Sequence, residues 1–262
     1  MNSIDLIALS HSFDDRNGVP ALLFQQDHHA LYWLGVPEDS AFRCNCYLIV
    51  DGEEGILIYP GGKTEFEFIQ SSIEKVLPLT NLMGMIICQP DPDETSAIID
   101  WLKLNPGMKI ITAPRTNTKL SHYGSLDWSW HNVSEEPVFS FKSGQKLDFI
   151  PAPFLPCSET FTIFDKTSRF LFSGDLWSAI DMDWKLVVEN FAAHELKLSL
   201  FHLDYFPSNL TLKGYLKQIR NLKLEAILPR HGSIIPLKNI SFALEYLNRL
   251  RCGIDLIYPD LR

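Results

Sequence analysis

Cys88-Gln89-Pro90-Asp91-Pro92-Asp93-Glu94 lies between an apolar run, Met83-Gly84-Met85-Ile86-Ile87, and an amphipathic one, Ser96-Ala97-Ile98-Ile99-Asp100-Trp101-Leu102. The order is strand, turn, helix. Pro90 and Pro92 keep the turn out of both a ladder and a helix interior. Asp91, Asp93 and Glu94 crowd three carboxylates into four residues, an arrangement that repulsion disfavours unless a cation or protons compensate. The plainest reading of Asp93 and Glu94 is an acidic helix start that satisfies free N–H groups and favours the helix dipole. The alternative is a cation-binding turn.

The chain has 262 residues, 46% hydrophobic and 21% charged, which is the composition of an ordinary globular protein. No linker or low-complexity run divides it, so a single domain over 1–262 is expected. A net charge of −9 argues against nucleic acid and anionic membrane surfaces, leaving small molecules and proteins as partners. No apolar segment has membrane-spanning length and the N-terminus has no basic leader, so a cytoplasmic address is expected. Five cysteines at irregular spacings form neither a disulfide framework nor paired zinc hooks. Cys44 and Cys46 share one strand face and read as core.

The first half reads as strands over Ala30–Val36, Cys44–Val50 and Ile56–Tyr59, with a hairpin turn at Asp51–Gly55. Phe66, Ile69, Ile73, Val76 and Leu77 recur at helical spacing within Glu65–Leu77. The strand at Met85, a helix to Leu104, a strand Lys109–Thr112 and a short helix Thr116–His122 follow. The second half gives strands over Val138–Phe141, Gln145–Ile150, Thr160–Asp165, Arg169–Ser173 and Ala226–Leu228. Helices are expected over Glu189–Phe201, Leu210–Leu222 and Asn239–Leu250. Two β halves, each trailing helices, predict an α+β, four-layer αβ/βα sandwich of two mixed sheets with helices outside.

Four loops then fall at strand ends: Gln89–Glu94, Ala152–Cys157, Gly174-Asp175 and Arg230-His231-Gly232. With Asn45–Asp51 and Ile56–Gly61 upstream, this order resembles the metallo-β-lactamase superfamily across nearly the whole chain. Pro151–Leu155, Leu171–Leu176, Tyr205–Asn209 and Ile227–Gly232 resemble its branch of flavodiiron and oxygen-binding di-iron proteins. The resemblance implies two irons bridged by an aspartate. Their other ligands come from a loop of pattern His-x-Glu-x-Asp-His, one later histidine and a last histidine.

Against that pattern the metal positions of this chain are Gln89, Asp91, Asp93 and Glu94, then Pro156, Asp175 and His231. Asp93, Asp175 and His231 match, while three of the four histidines are replaced. A first metal would need Gln89, Asp91, Pro156 and Asp175. Pro156 has no donor side chain, and an amide is a poor substitute for imidazole on iron. A second, residual site of Asp93, Glu94, Asp175 and His231 retains donors for one divalent ion, with Fe, Mn, Zn and Mg as candidates. Without a metal, the four carboxyls cannot all ionise unpaired, and protons or a basic side chain must take over. Arg230 and Lys185 are the nearest basic groups by loop position and would make the site a salt-bridged relic; strand alternation leaves open whether Arg230 faces the pocket or turns away.

His28 and His29 precede a strand that lies near the pocket in the resembling branch, and read either as compensating ligands or as hydrogen-bonded histidines. Cys88 and Cys157 flank replaced ligands, where neighbouring carboxylates raise a thiol pKa and oppose reactivity. His194 and His202 share a helix face at a spacing too long for joint ligation. Catalytic residues are not assigned.

The flavodiiron enzymes carry a flavodoxin domain with FMN; no such domain and no FMN are expected here. The resemblance therefore implies the flavin-free, oxygen-sensing branch, with a homodimer as its common assembly. The expected function is a diverged, non-redox binding or signalling protein with a degenerate metal site, not an enzyme. The alternative is a hydrolase, or an oxidoreductase, using one metal at the residual site.

Overall fold

Side-chain alternation sorts the strands into two sheets whose inner faces share one core. The computed structural model describes residues 4–13, 18–36, 41–124 and 127–260. The first sheet holds β1 (Ala21–Gln26), β2 (His29–Trp33), β3 (Tyr47–Asp51), β4 (Glu54–Ile58), β5 (Leu82–Ile86), β6 (Lys109–Thr112) and β7 (Ser129–Asn132), in that order. Its first four strands pair antiparallel and its last four parallel. The second sheet, from β8 (Val138–Ser140) through β9 (Lys146–Pro151), β10 (Phe161–Asp165), β11 (Phe170–Gly174), β12 (Ala226–Pro229) and β13 (Ile235–Pro236), is antiparallel except for β11 beside β12.

Helices cover both outer faces. α1 (Leu6–Ser12) tucks Leu6 into the shared core, and the Asp5 carboxylate accepts the Ile7 and Ala8 N–H groups at its start. α2 (Phe66–Glu74), α3 (Pro92–Thr95), α4 (Ile98–Leu104) and α5 (Pro114–Leu120) follow in the first half. α6 (Phe191–Tyr205), α7 (Asn209–Ile219), α8 (Ile240–Arg249) and α9 (Ile254–Ile257) follow in the second.

Three cores result. Tyr47, Ile49, Ile56 and Ile58 face Ile163, Phe172 and Leu228 between the sheets. Their neighbours Leu48 and Leu57 turn outward onto Ile69, Ile73 and Trp101 of α2 and α4. On the far side Leu171 and Ile227 meet Leu198, Leu212, Tyr215 and Leu247 of α6, α7 and α8. Burial on both faces with a period of two is what a sheet between a helix layer and a second sheet requires. The expected four-layer sandwich is therefore the observed one. Among the described residues no helix is long and apolar enough to cross a membrane.

Three strands were not anticipated: β1, β7 and the two-residue β13. β1 pairs with β2 across Asp27-His28, where Asp27 takes φ 53°, and its Gln25-Gln26 end lacks an apolar alternation. β7 is a half-exposed edge, Ser-Trp-His-Asn, with no core face to register. The segment from Cys44 joins β3 only at Tyr47; Cys44 instead makes an isolated bridge to His231, which ties the two halves together at the site.

A second tie lies in the shared core. His29 of β2 is 1% exposed, with Nδ1 2.7 Å from Asp51 Oδ2 and Nε2 3.0 Å from Asp165 Oδ2 of the other sheet. Asp165 also accepts from the Ser168 and Thr167 N–H groups. Burial disfavours a charged imidazole, yet the two aspartates raise its pKa above the ordinary value. His29 thus serves the frame. It is not a ligand in the cleft, and neither is half-exposed His28, 3.5 Å from Asp51.

Candidate functional site

The ends of parallel neighbours β4, β5 and of β11, β12 converge at one edge of the sandwich, where the turns after them meet. Asp91 is the N-cap residue of α3, Pro92 occupies the first turn, and Asp93 and Glu94 follow. Asp175 succeeds Gly174 of β11, whose N–H donates to Tyr59 Oη at 2.7 Å, and Arg230 and His231 succeed β12. The Arg230 N–H donates to the Gly174 carbonyl, and its own carbonyl accepts from the Asn45 N–H at 2.6 Å. Asn45 Nδ2 also holds the Pro229 and Gly232 carbonyls, so the backbone on both sides of Arg230 is fixed. Gly232 takes φ +83°, and a Cβ there would stand 2.8 Å from that of Ala179.

Arg230 fills the middle of this site. Its side chain is 2% exposed, with Nη2 2.9 Å from Asp91 Oδ2 and 2.8 Å from Asp175 Oδ1. Nη1 lies 3.1 Å from Glu94 Oε2 and 3.5 Å from Asp93 Oδ1. One guanidinium therefore touches all four carboxyls that the sequence places in the cleft, in the forked geometry that arginine offers and lysine does not. Of the two basic candidates it is Arg230 that enters the cleft, and the orientation that alternation left open is settled inward. Ala226 and Leu228 point between the sheets, and position 230 continues that same face.

The remaining groups adapt to this cation. Gln89 is 1% exposed and donates Nε2 to Asp91 Oδ2 and Asp175 Oδ2, each at 2.6 Å. Glu94 is fully buried, accepting the Cys88 N–H on Oε1 at 2.5 Å; burial pushes its pKa up to about 8 although Arg230 pulls the other way. Asp93 also pays for burial, but His231 and Arg230 outweigh that penalty and hold it at about 2. His231 places Nε2 3.2 Å from Asp93 Oδ2 and 4.0 Å from Asp175 Oδ1, while Nδ1 stands 2.9 Å from the Arg43 carbonyl. Phe42 stacks on its ring at 3.7 Å. Cys88 and Cys157 have thiol pKa values raised by burial first and by nearby carboxylates second, so both resist becoming thiolates.

Four residues that the sequence reading did not assign to the site also close it: Tyr205, His202, Phe42 and Glu65. Tyr205, at the end of α6, donates to Asp91 Oδ2 at 3.4 Å; His202 Nε2 lies 3.4 Å from the Asp175 carbonyl and its Nδ1 3.1 Å from Tyr246 Oη. Tyr205, Phe42 and Glu65 line a cleft of about 460 Å³ that opens over Asp91, Asp93 and Arg230. No local pattern marks them, because helix and loop residues reach a site only through the packing of their element. Lys185 is elsewhere, 2.8 Å from Glu189. His194 is buried on the same helix as His202, and burial lowers both imidazoles, to about 4 and about 3.

A di-iron pair does not fit this donor set. Gln89 turns N–H groups, not lone pairs, toward Asp91 and Asp175. Pro156 carries no donor atom, and the guanidinium occupies the space that the carboxyls enclose. Among the described residues no group of three or more His, Cys, Asp or Glu side chains is arranged to hold a metal ion. The structure does bring Asp93, Glu94, Asp175 and His231 together, but around Arg230.

Two mixed sheets packed face to face between helix layers, with the site in loops at their strand ends, define a metallo-β-lactamase fold. A family model described as "ODP family beta lactamase" matches residues 42–232, and the chain belongs to that family. Structures of the chemotaxis sensor ODP, a peroxy diiron species and the apo state from T. denticola, superimpose with TM-scores of 0.79 and 0.78 at 27% identity. They cover 92% of this chain and 99% and 98% of theirs. The flavodiiron protein from Giardia intestinalis shares the fold with a TM-score of 0.71 at 18% identity, over 84% of this chain and 57% of that one. An uncharacterised protein of Methanocaldococcus jannaschii is 24% identical over 234 residues, 81% of this chain. The chain spans 57% of the length of that relative and 26% of a putative diflavin flavoprotein of Nostoc sp..

Proposed function

We propose that this chain is a member of the ODP branch that has exchanged a metal centre for an internal ion-pair cluster, and that it acts in binding or signalling without redox chemistry. The observation that carries this reading is the buried Arg230 guanidinium between Asp91, Asp93, Glu94 and Asp175. A guanidinium supplies fixed positive charge and five N–H donors but no electron, no open coordination position and no bound oxygen. The guanidinium compensates one of these charges and a proton on Glu94, whose pKa is raised to about 8, takes up another, easing the crowded acidic turn. Likeness to a chemotaxis sensor supports a sensory role, in which the cleft over Arg230, with its aromatic wall and acidic rim, receives a small ligand. A cytoplasmic setting accords with such a role.

Metal analysis of native protein, paired with an optical spectrum after anaerobic ferrous loading and oxygen exposure, tests this. Less than about 0.1 metal per chain and no new absorbance are expected. Two equivalents of iron and an oxygen-dependent band would refute it. The alternative, a single-metal hydrolase, needs Glu94 to give up at least one of its contacts, to the Cys88 N–H on one oxygen or to Arg230 on the other. Chelator-sensitive turnover of a phosphodiester or thioester would establish that alternative instead.

A further inference from the structure

The cleft over Arg230 has a floor and a rim of different character. On the floor Glu94 and Asp175 are fully buried and meet the guanidinium directly. On the rim Asp91 and Asp93 leave 30% and 35% of their side chains exposed, and Glu65 joins them. Glu65 stands at the N-cap of α2, yet its carboxylate makes no capping bond and accepts only from the Thr64 hydroxyl beside it. Gly62 makes room for that carboxylate, since a Cβ there would stand 2.7 Å from Glu65 Oε2 and 3.5 Å from the Asp93 Cα. Among the described residues no lysine or arginine pairs with Glu65; neighbouring Lys63 lies 3.7 Å from Asp100 instead.

The charges do not balance. Glu65, Asp91, Asp93, Glu94 and Asp175 stand against two guanidiniums, Arg230 and the Arg43 that lies over the Trp184 ring. Even when Glu94 holds a proton and His231 is charged, four anions oppose three cations. The excess sits on the half-open rim, where an arriving positive group does not have to displace Arg230. The wall beside it is aromatic. Phe42 and Tyr205 both pack on Phe201, with ring centroids 5.5 and 4.5 Å away, and keep 40% and 36% of their surface exposed. Aromatic faces attract cations, most of all where water is partly excluded. Arg230 Nε, buried with the rest of its side chain, has no hydrogen-bond partner among the described residues, so the floor also lacks one acceptor.

We infer that the cleft binds a small organic cation, a protonated amine on an aromatic or aliphatic body, with its ammonium among Glu65, Asp91 and Asp93 and its body along Phe42 and Tyr205. A hydroxyl beside the ammonium supplies the acceptor that Arg230 Nε lacks. The cleft volume of about 460 Å³ falls within the ~300–1,000 Å³ of small-molecule sites. A bare divalent ion is a poorer match, because among the described residues no three donor side chains are arranged to hold one. An anion meets the excess of like charge. This inference names the ligand class of the site and rests on the reading of the cleft around Arg230 as a small-ligand site.

Calorimetric titration of the full chain near neutral pH compares three molecules of one skeleton: phenylethanolamine, a cation; styrene glycol, which is neutral; and mandelate, an anion. Phenylethanolamine is expected to bind with a Kd below about 1 mM, more weakly as salt is added, and the other two at least ~10-fold less tightly. Glu65→Gln keeps an acceptor for Thr64 and leaves every Arg230 contact in place. It should weaken the amine at least ~5-fold with an unchanged unfolding midpoint, since Glu65 holds no ion pair in the chain. Metal content is measured on the same sample. Stoichiometric iron would overturn the reading on which the inference rests. In metal-free protein, failure of the amine to bind, equal binding of styrene glycol or mandelate, or an amine affinity indifferent to Glu65→Gln would overturn the organic-cation assignment and leave the Arg230 cluster standing.

Discussion

Replacing Arg230 with methionine removes, among the described residues, the cation that touches Asp91, Asp93, Glu94 and Asp175 while keeping a side chain of comparable length. Two of those acids, Glu94 and Asp175, are 0% exposed, so water cannot take over the role of the guanidinium. Removing one partner of a buried ion pair costs about 3–5 kcal/mol, a large share of the roughly 5–15 kcal/mol that holds a domain folded. Denaturant titrations of both proteins at pH 7.5 read this as a lower midpoint at unchanged slope. The loss should shrink at pH 5, where protons replace the missing charge. It should also shrink in millimolar Mn²⁺ or Zn²⁺, because the emptied centre then presents carboxyls and His231 to a cation. Arg230→Lys should lie between, keeping the charge but losing the fork. A loss below about 1 kcal/mol, or one indifferent to both pH and divalent ions, would refute the assignment of Arg230 as the counterion of the site.

Restoring the family's histidines without touching Arg230, as Gln89→His, Glu94→His and Pro156→His together, should leave iron content below about 0.2 per chain. Adding Arg230→Met should raise it, as read by elemental analysis. His29→Phe should cost about 3 kcal/mol in a denaturant titration, since it leaves Asp51 and Asp165 facing each other in the shared core. Because the folded state raises the pKa of His29, its contribution is complete below about pH 6.5 and is lost as pH climbs through the raised value. Nitrogen NMR should find the His29 ring titrating above an ordinary imidazole, and a ring that loses its proton below about pH 6.5 would contradict the clamp. His194 and His202 act in the opposite sense, with pKa values depressed to about 4 and about 3. Their stabilisation is present above about pH 6.5 and falls with acid, by up to about 1.4 kcal/mol per pH unit for each. His202→Gln should flatten the acid limb of stability against pH, and an unchanged limb would show that His202 is not buried neutral.

Much of this was legible in the chain because the signals are local. The apolar runs that became β4, β5, β10 and β11 are buried on both faces, by the other sheet on one side and helices on the other, and read as strands without a partner in view. The loops at Gln89–Glu94, Asp175 and His231 announced the site through residue type and order. Arg230 shows where local reading stops. Its orientation follows from the parity of β12, and that parity is fixed by which of Ala226 and Ile227 faces the other sheet, a tertiary fact. Phe42 and Glu65 left no signal, and Tyr205 none beyond its place in the Tyr205–Asn209 resemblance, since their elements meet only after both halves have folded. His29 was expected to be either ligand or hydrogen-bonded, and what settled its place was the pairing of β2 with β3, which sets it opposite Asp51.

Diffraction from native crystals, with anomalous data collected on both sides of the iron edge, measures the disputed atoms themselves. The account predicts planar guanidinium density among Asp91, Asp93, Glu94 and Asp175 and no anomalous peak above noise. Two peaks bridged by Asp175, with Arg230 swung out of the cleft, would contradict it.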